Sequence, residues 1–163
     1  MKNHEIDYKI YGEELQCLEI ILDPNETVVA EPGSLMYMDD GIKMETIFGD
    51  GSQQSFLGKL FSAGKRLLTG ENLFITAYTN VSSNRKQVTF AAPYTGKIIP
   101  INLMQYNEKI ICQKDSFLCA AKGVSIGIEF QKRLGAGLFG GEGFIMQKLE
   151  GDGMAFMHSG GYI

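Results

Sequence analysis

The chain has 163 residues, of which 44% are hydrophobic and 21% charged, with a net charge of −4. That length and balance describe one domain, residues 1–163, with a sizeable core, and exclude a disordered or collagen-like chain. No run of 18 apolar residues is present to span a membrane, and the acidic balance argues against a general nucleic-acid binder and against DNA as a partner.

Charge is unevenly spread: residues 1–50 carry a net −9 and the remainder +5. The opening stretch holds Lys2, Glu5, Asp7 and Lys9 with no apolar block, so no secretory signal is expected. Cys17, Cys112 and Cys119 form an odd set without Cys-x-x-Cys spacing, as expected for free thiols in a reducing cytoplasm.

Short apolar runs separated by Gly, Asn and Asp predict strands over 15–22, 27–30, 35–38, 42–47, 73–79, 87–91, 96–101, 109–113, 117–121, 124–130, 144–151 and 154–158. Alternation is clear where Val124, Ile126, Ile128 and Phe130 take one face. The expected class is an all-β sandwich or barrel. One segment departs from it. Over 56–68, Phe56, Leu57, Leu60, Phe61, Gly64, Leu67 and Leu68 fall on one helical arc, and Lys59, Lys65 and Arg66 lie opposite. This short amphipathic helix is expected to cap a sheet edge, with Lys59, Lys65 and Arg66 as the candidate interaction surface toward a protein partner or an anionic membrane.

An internal duplication is expected, with repeats over approximately 28–96 and 110–160. A shift of 82 positions lays Val28 on Ile110, Ser34 on Ser116, Leu35 on Phe117 and Gly41 on Gly123. Further on, Gly70-Glu71-Asn72-Leu73-Phe74-Ile75 resembles Gly141-Glu142-Gly143-Phe144-Ile145-Met146, and Val88-Thr89-Phe90 resembles Met154-Ala155-Phe156. The register thus sets His158 opposite Ala92.

No catalytic constellation stands out. Gly135-Ala136-Gly137-Leu138-Phe139-Gly140 has the spacing of a dinucleotide loop but is followed by a strand, where phosphate binding needs a helix N-terminus; a turn is expected. His4 and His158 are the only histidines, too few for a His-rich metal centre, so neither metal nor cofactor is expected. There is no Gly-x-Ser-x-Gly elbow, and Cys112 and Cys119 lie among apolar neighbours, as packing residues. Asp39-Asp40-Gly41 reads as a hairpin turn in which the glycine serves the backbone, and Glu13-Glu14 as solvated carboxylates.

Three stretches carry a resemblance: residues 31–38 (Glu-Pro-Gly-Ser-Leu-Met-Tyr-Met), 92–100 (Ala-Pro-Tyr-Thr-Gly-Lys-Ile-Ile-Pro) and 137–144 (Gly-Leu-Phe-Gly-Gly-Glu-Gly-Phe). Together they resemble the mitochondrial-biogenesis (altered inheritance of mitochondria) family. The resemblance implies a fold like the tryptophan RNA-binding attenuation protein, a sandwich of double-stranded β-helix type built from repeated halves, and a homo-oligomer. It carries no activity and no catalytic residues. Its yeast member links the family to inner-membrane organisation, and longer relatives run on past the position of Ile163. The function expected is a non-enzymatic oligomeric β-domain acting through protein contacts near a membrane. RNA binding by a ring and a small-molecule-binding barrel are the alternatives.

Overall fold

The computed structural model describes residues 5–48, 74–92, 94–132 and 144–160. Among them run β1 (Asp7–Tyr11), β2 (Cys17–Leu22), β3 (Thr27–Ala30), β4 (Leu35–Met38), β5 (Ile42–Phe48), β6 (Phe74–Asn80), β7 (Lys86–Ala91), β8 (Gly96–Asn102), β9 (Lys109–Gln113), β10 (Phe117–Ala121), β11 (Ser125–Lys132), β12 (Phe144–Glu150) and β13 (Met154–Gly160). Four strands form with the bounds expected from sequence, and the other expected strands differ by one or two residues at one or both ends. β1 was not expected. Its Asp-Tyr-Lys-Ile-Tyr alternation is masked by charge, yet it pairs antiparallel with β2, with Tyr8 opposite Ile20 and Ile10 opposite Leu18. Short 3₁₀ turns at Leu103–Tyr106 and Lys114–Ser116 precede β9 and β10. The expected helix over 56–68 and the glycine loop 135–140 lie outside the described residues.

The strands make three antiparallel sheets, ordered β1-β2-β7-β4, β5-β6-β3-β10-β13-β8 and β11-β12-β9. The six-stranded sheet lies in the middle of the core. Its adjacent strands β3 and β10 are buried at every residue. A strand buried on both pleat faces needs a layer on each side. On one side, Tyr78 meets Phe90 edge-on with centroids 5.2 Å apart, and Phe156 meets Tyr8 at 4.8 Å. The three-stranded sheet brings Cys112, Ile126 and Leu149 into the same core cluster. The all-β, sandwich-like arrangement follows from the period-two patterning.

The pairing pattern recurs along the chain. β5-β6-β3 has the same order of connection as β11-β12-β9, and β2-β7-β4 the same as β8-β13-β10. Registers agree along these pairs except in β11, where a bulge between Ile128 and Phe130 has no counterpart in β5 and turns Phe130 off the face that Ile128 shares with Ile126, against the single face expected from sequence. Val28 and Met44 flank Tyr78, as Ile110 and Ile126 flank Leu149. A bulge between Leu35 and Tyr37 recurs between Phe117 and Cys119. Two details differ from the sequence alignment. The matching pattern begins at β2 and β8, upstream of residues 28 and 110. Ladder pairing also aligns Val88-Thr89-Phe90 with Ala155-Phe156-Met157, one position later than expected, which sets His158 opposite Ala91 rather than Ala92. A one-residue slip exchanges the faces of a strand, and three letters of similarity are too few to fix it.

Asp39-Asp40-Gly41 is not the hairpin turn expected: β4 and β5 lie in different sheets, as do β10 and β11 around Gly123, so each turn carries the chain from one sheet to another. Gly41 and Gly123 both hold positive φ, at 90° and 106°. Beside them Ile42 N–H donates to the Asp39 carbonyl at 3.4 Å, and Val124 N–H to the Ala121 carbonyl at 3.2 Å.

Candidate functional site

The two halves of the pattern meet where β3 pairs with β10. Ala30 lies opposite Cys119, Val29 opposite Ala120 and Val28 opposite Ala121. Small side chains on β10 let the layers above and below close on this seam. Its ends are tied by Glu31 N–H donating to the Leu118 carbonyl at 3.0 Å and Lys122 N–H to the Thr27 carbonyl at 3.2 Å. β4 and β9 hold the places corresponding to β10 and β3 in the other half of each pattern. Among the described residues, β4 pairs only with β7 and β9 only with β12. Both carry exposed apolar side chains: Met36 is 60% exposed, Tyr37 50% and Ile111 47%.

Beside the seam the chain leaves β3 through Glu31-Pro32-Gly33-Ser34. Ser34 N–H donates to the Glu31 carbonyl at 3.2 Å. Proline second and a glycine at φ 93° third make the type II turn pattern. The Ser34 hydroxyl donates to the same carbonyl at 2.7 Å. This turn, the end of β7, the start of β10 and His158 of β13 surround a cavity of about 320 Å³.

Glu31 and His158 are among the residues that line this cavity, and Glu31 Oε2 and His158 Nδ1, both buried, have no hydrogen-bond partner among the described residues. Desolvation pushes the Glu31 carboxyl up to about 7; Lys114 opposes the rise and Asp115 adds to it. His158 is only 5% exposed, and burial lowers its pKa, favouring the neutral imidazole. Tyr94 sets its ring edge-on to the imidazole, centroids 4.8 Å apart, and its hydroxyl donates to the Asp115 carbonyl at 3.2 Å. Gly96, where β8 begins, leaves His158 its place. A Cβ there would collide with the Ser159 carbonyl oxygen and come within 2.7 Å of His158 Nε2.

Lys59, Lys65 and Arg66, the surface expected from sequence, lie outside the described residues. Cys112 and Cys119 are buried, and burial pushes the Cys112 thiol up to about 11 and the Cys119 thiol well above its ordinary range, so both are unreactive packing residues. Among the described residues no three His, Cys, Asp or Glu side chains gather in a metal-binding group. No described helix is long and apolar enough to cross a membrane. Sequence reasoning gave Glu31 no role. The available signal was a carboxylate directly after the wholly apolar run Val28-Val29-Ala30.

The sequence model of a family described as Mitochondrial biogenesis AIM24 matches residues 8–163. A solved structure, protein SPYM3_0169 from Streptococcus pyogenes, is similar in fold, with a TM-score of 0.67 at 20% sequence identity over 95% of this chain. The match covers 65% of that chain, so the present chain spans about two thirds of its length. No curated protein matches.

Proposed function

The chain belongs to the AIM24 mitochondrial-biogenesis family, and from that premise we propose that it is a non-enzymatic β-domain that works by self-association, the β9 edge of one copy adding to the β4 edge of the next. One observation carries the reading: within the chain, β3 already joins β10, and β9 and β4 are their register equivalents. This rests on reading the chain as a duplicated six-strand unit, which the repeated strand order, the matching registers and the shared bulge support.

The junction between copies can be written residue by residue. Moving the β3–β10 register by 82 positions puts Tyr37 opposite Cys112, Met38 opposite Ile111 and Asp39 opposite Ile110 of the neighbouring copy. The exposed Tyr37 and Ile111 would then be covered. The contact is head-to-tail, because the two edges differ; repeated, it closes a ring or runs on as a filament. Exposed strand edges invite such addition.

The test is a cross-link. In a Cys17→Ser background, Met38→Cys and Ile111→Cys place two thiols opposite each other only in the proposed junction. Opposed residues of antiparallel strands lie about 4.5–5.5 Å apart at Cα, within disulfide reach. Mild oxidation is expected to give covalent dimers and higher species, absent when either cysteine is introduced alone. Sedimentation of the unmodified protein is expected to give a mass above one chain, falling toward it in Ile111→Pro, which removes an edge donor. A strict monomer that yields no cross-link overturns the reading.

A further inference from the structure

Two apolar strand edges can meet in more than one register, and something at the junction must choose. We infer that Asp40 of one copy forms an ion pair with Lys109 of the next, and that this pair sets the register of the junction; the inference rests on the self-association reading.

The position comes from the seam inside the chain. Its last tie is Lys122 N–H donating to the Thr27 carbonyl at 3.2 Å. Carried 82 positions, this becomes Asp40 N–H donating to the Lys109 carbonyl of the neighbouring copy. Residues opposed in such a hydrogen-bonded pair lie about 5.5 Å apart at Cα, with side chains on one face, so carboxylate and ammonium come within ion-pair reach. Thr27 and Lys122 hold no opposite charges, so the charge pair belongs to the junction between copies and not to the seam within one.

Both side chains are available. Asp40 is exposed and makes no ion pair among the described residues. Its neighbour Asp39 is already engaged, its Oδ2 accepting from Gln87 N–H at 2.8 Å. Lys109 stands on β9, at the edge of its sheet, with a side chain 42% exposed. Its contacts to Glu129 and Glu150 are long, 3.5 and 4.0 Å, and Lys148 shares both glutamates at 3.9 and 3.0 Å. Those glutamates sit on β11 and β12, behind the edge, so β9 presents positive charge first.

Joining the edges also completes a row of alternating sign. Glu150 lies opposite Lys109 across β12 and β9. On the other side Met38 lies opposite Val88, and Asp39 N–H donates to the Gln87 carbonyl at 2.9 Å, which brings Asp40 level with Lys86. Four consecutive strands then carry Glu150, Lys109, Asp40 and Lys86. Opposite charges on neighbouring strands stabilise a sheet and like charges destabilise it. A slip of two residues keeps every side chain on its face, so apolar patterning does not refuse it. It would set Asp40 against Ile111, or Lys109 against Met38, and break the charge pair either way.

The cross-link between Met38→Cys and Ile111→Cys reads this register directly. In that background Asp40→Lys and Lys109→Asp are each expected to lower cross-linking, and to weaken association about tenfold or more in sedimentation equilibrium, because each sets like charges opposite one another. Combining the two reversals exchanges the charges and should return association to within about threefold of the unreversed protein. Damage to the fold by Lys109→Asp, which also faces Glu129 and Glu150, would not be repaired by Asp40→Lys, so the recovery reports the pair itself. Single reversals that leave cross-linking and mass unchanged, or a double reversal no better than the singles, overturn the pair while self-association stands. A strict monomer without cross-link when the native charges are present overturns both.

Discussion

Tyr78 on β6 and Phe90 on β7 meet edge-to-face, ring centroids 5.2 Å apart and planes inclined by 72°, and both are almost wholly buried. They belong to different sheets, so this contact fastens the four-stranded sheet to the six-stranded one. Phe90→Ala is expected to destabilise the protein by about 3–5 kcal/mol, since a cavity would open between two sheets that cannot collapse onto each other. Urea unfolding followed by circular dichroism measures it, and Phe90→Leu should recover most of the loss.

Asn80 ends β6 fully buried and fully satisfied. Its amide donates to the Leu22 carbonyl at 2.9 Å and the Asn84 carbonyl at 2.8 Å, and its side-chain oxygen accepts from Ser82 N–H at 2.9 Å and the Ser82 hydroxyl at 2.8 Å. Asn80→Ala should cost about 2–4 kcal/mol, because it strands buried backbone groups as well as deleting bonds. Chemical denaturation gives the value; Asn80→Asp, which loses the two donors but keeps the acceptor, should also destabilise.

Gln147 on β12 presents the opposite case. It is completely buried, and neither its amide nitrogen nor its oxygen finds a partner among the described residues. Replacing it with an apolar residue of similar size removes the desolvation cost and keeps the volume. Gln147→Leu is therefore expected to raise stability by about 1 kcal/mol. A fall in the thermal transition would show that the amide does work outside the described contacts.

Glu31 makes stability depend on pH. Its folded-state pKa of about 7 lies above its ordinary value, so the native state holds a proton that the unfolded chain has released. Stability is full below about pH 4.5 and is lost as pH rises through 7. Because the side chain is partly exposed, the loss is discounted to about 1–2 kcal/mol. His158 acts the other way: its lowered pKa costs stability as pH falls below its ordinary range. Glu31→Gln should abolish the decline above pH 5 and leave the acid-side slope of His158, as denaturation curves at stepped pH would show.

Much of the fold was legible because β-strands announce themselves by alternation and glycine. The run Val28-Val29-Ala30 and the pair Gly41 and Gly123 needed no tertiary knowledge. β1 was hidden because Asp7 and Lys9 face outward between Tyr8 and Ile10, and charge at the chain's start reads as a tail. The slip that moved His158 from Ala92 to Ala91 reflects an alignment resting on three residues, too few to fix a register. The cavity was illegible for a different reason. Glu31, Ala91, Tyr94 and His158 come from four places along the chain, and only strand pairing assembles them.

The bulges at Leu35/Tyr37 and Phe117/Cys119 restrict how the gene can change length. The extra residue is Met36 in β4 and Leu118 in β10, so losing that one codon would straighten the strand and still leave Met38 opposite Val88 or Ala120 opposite Ala155, whereas losing a codon further along would send the side chains after it to the wrong surface. Single in-frame deletions in β4 should therefore be tolerated best at Met36, which is 60% exposed, a preference that a library of such deletions would display.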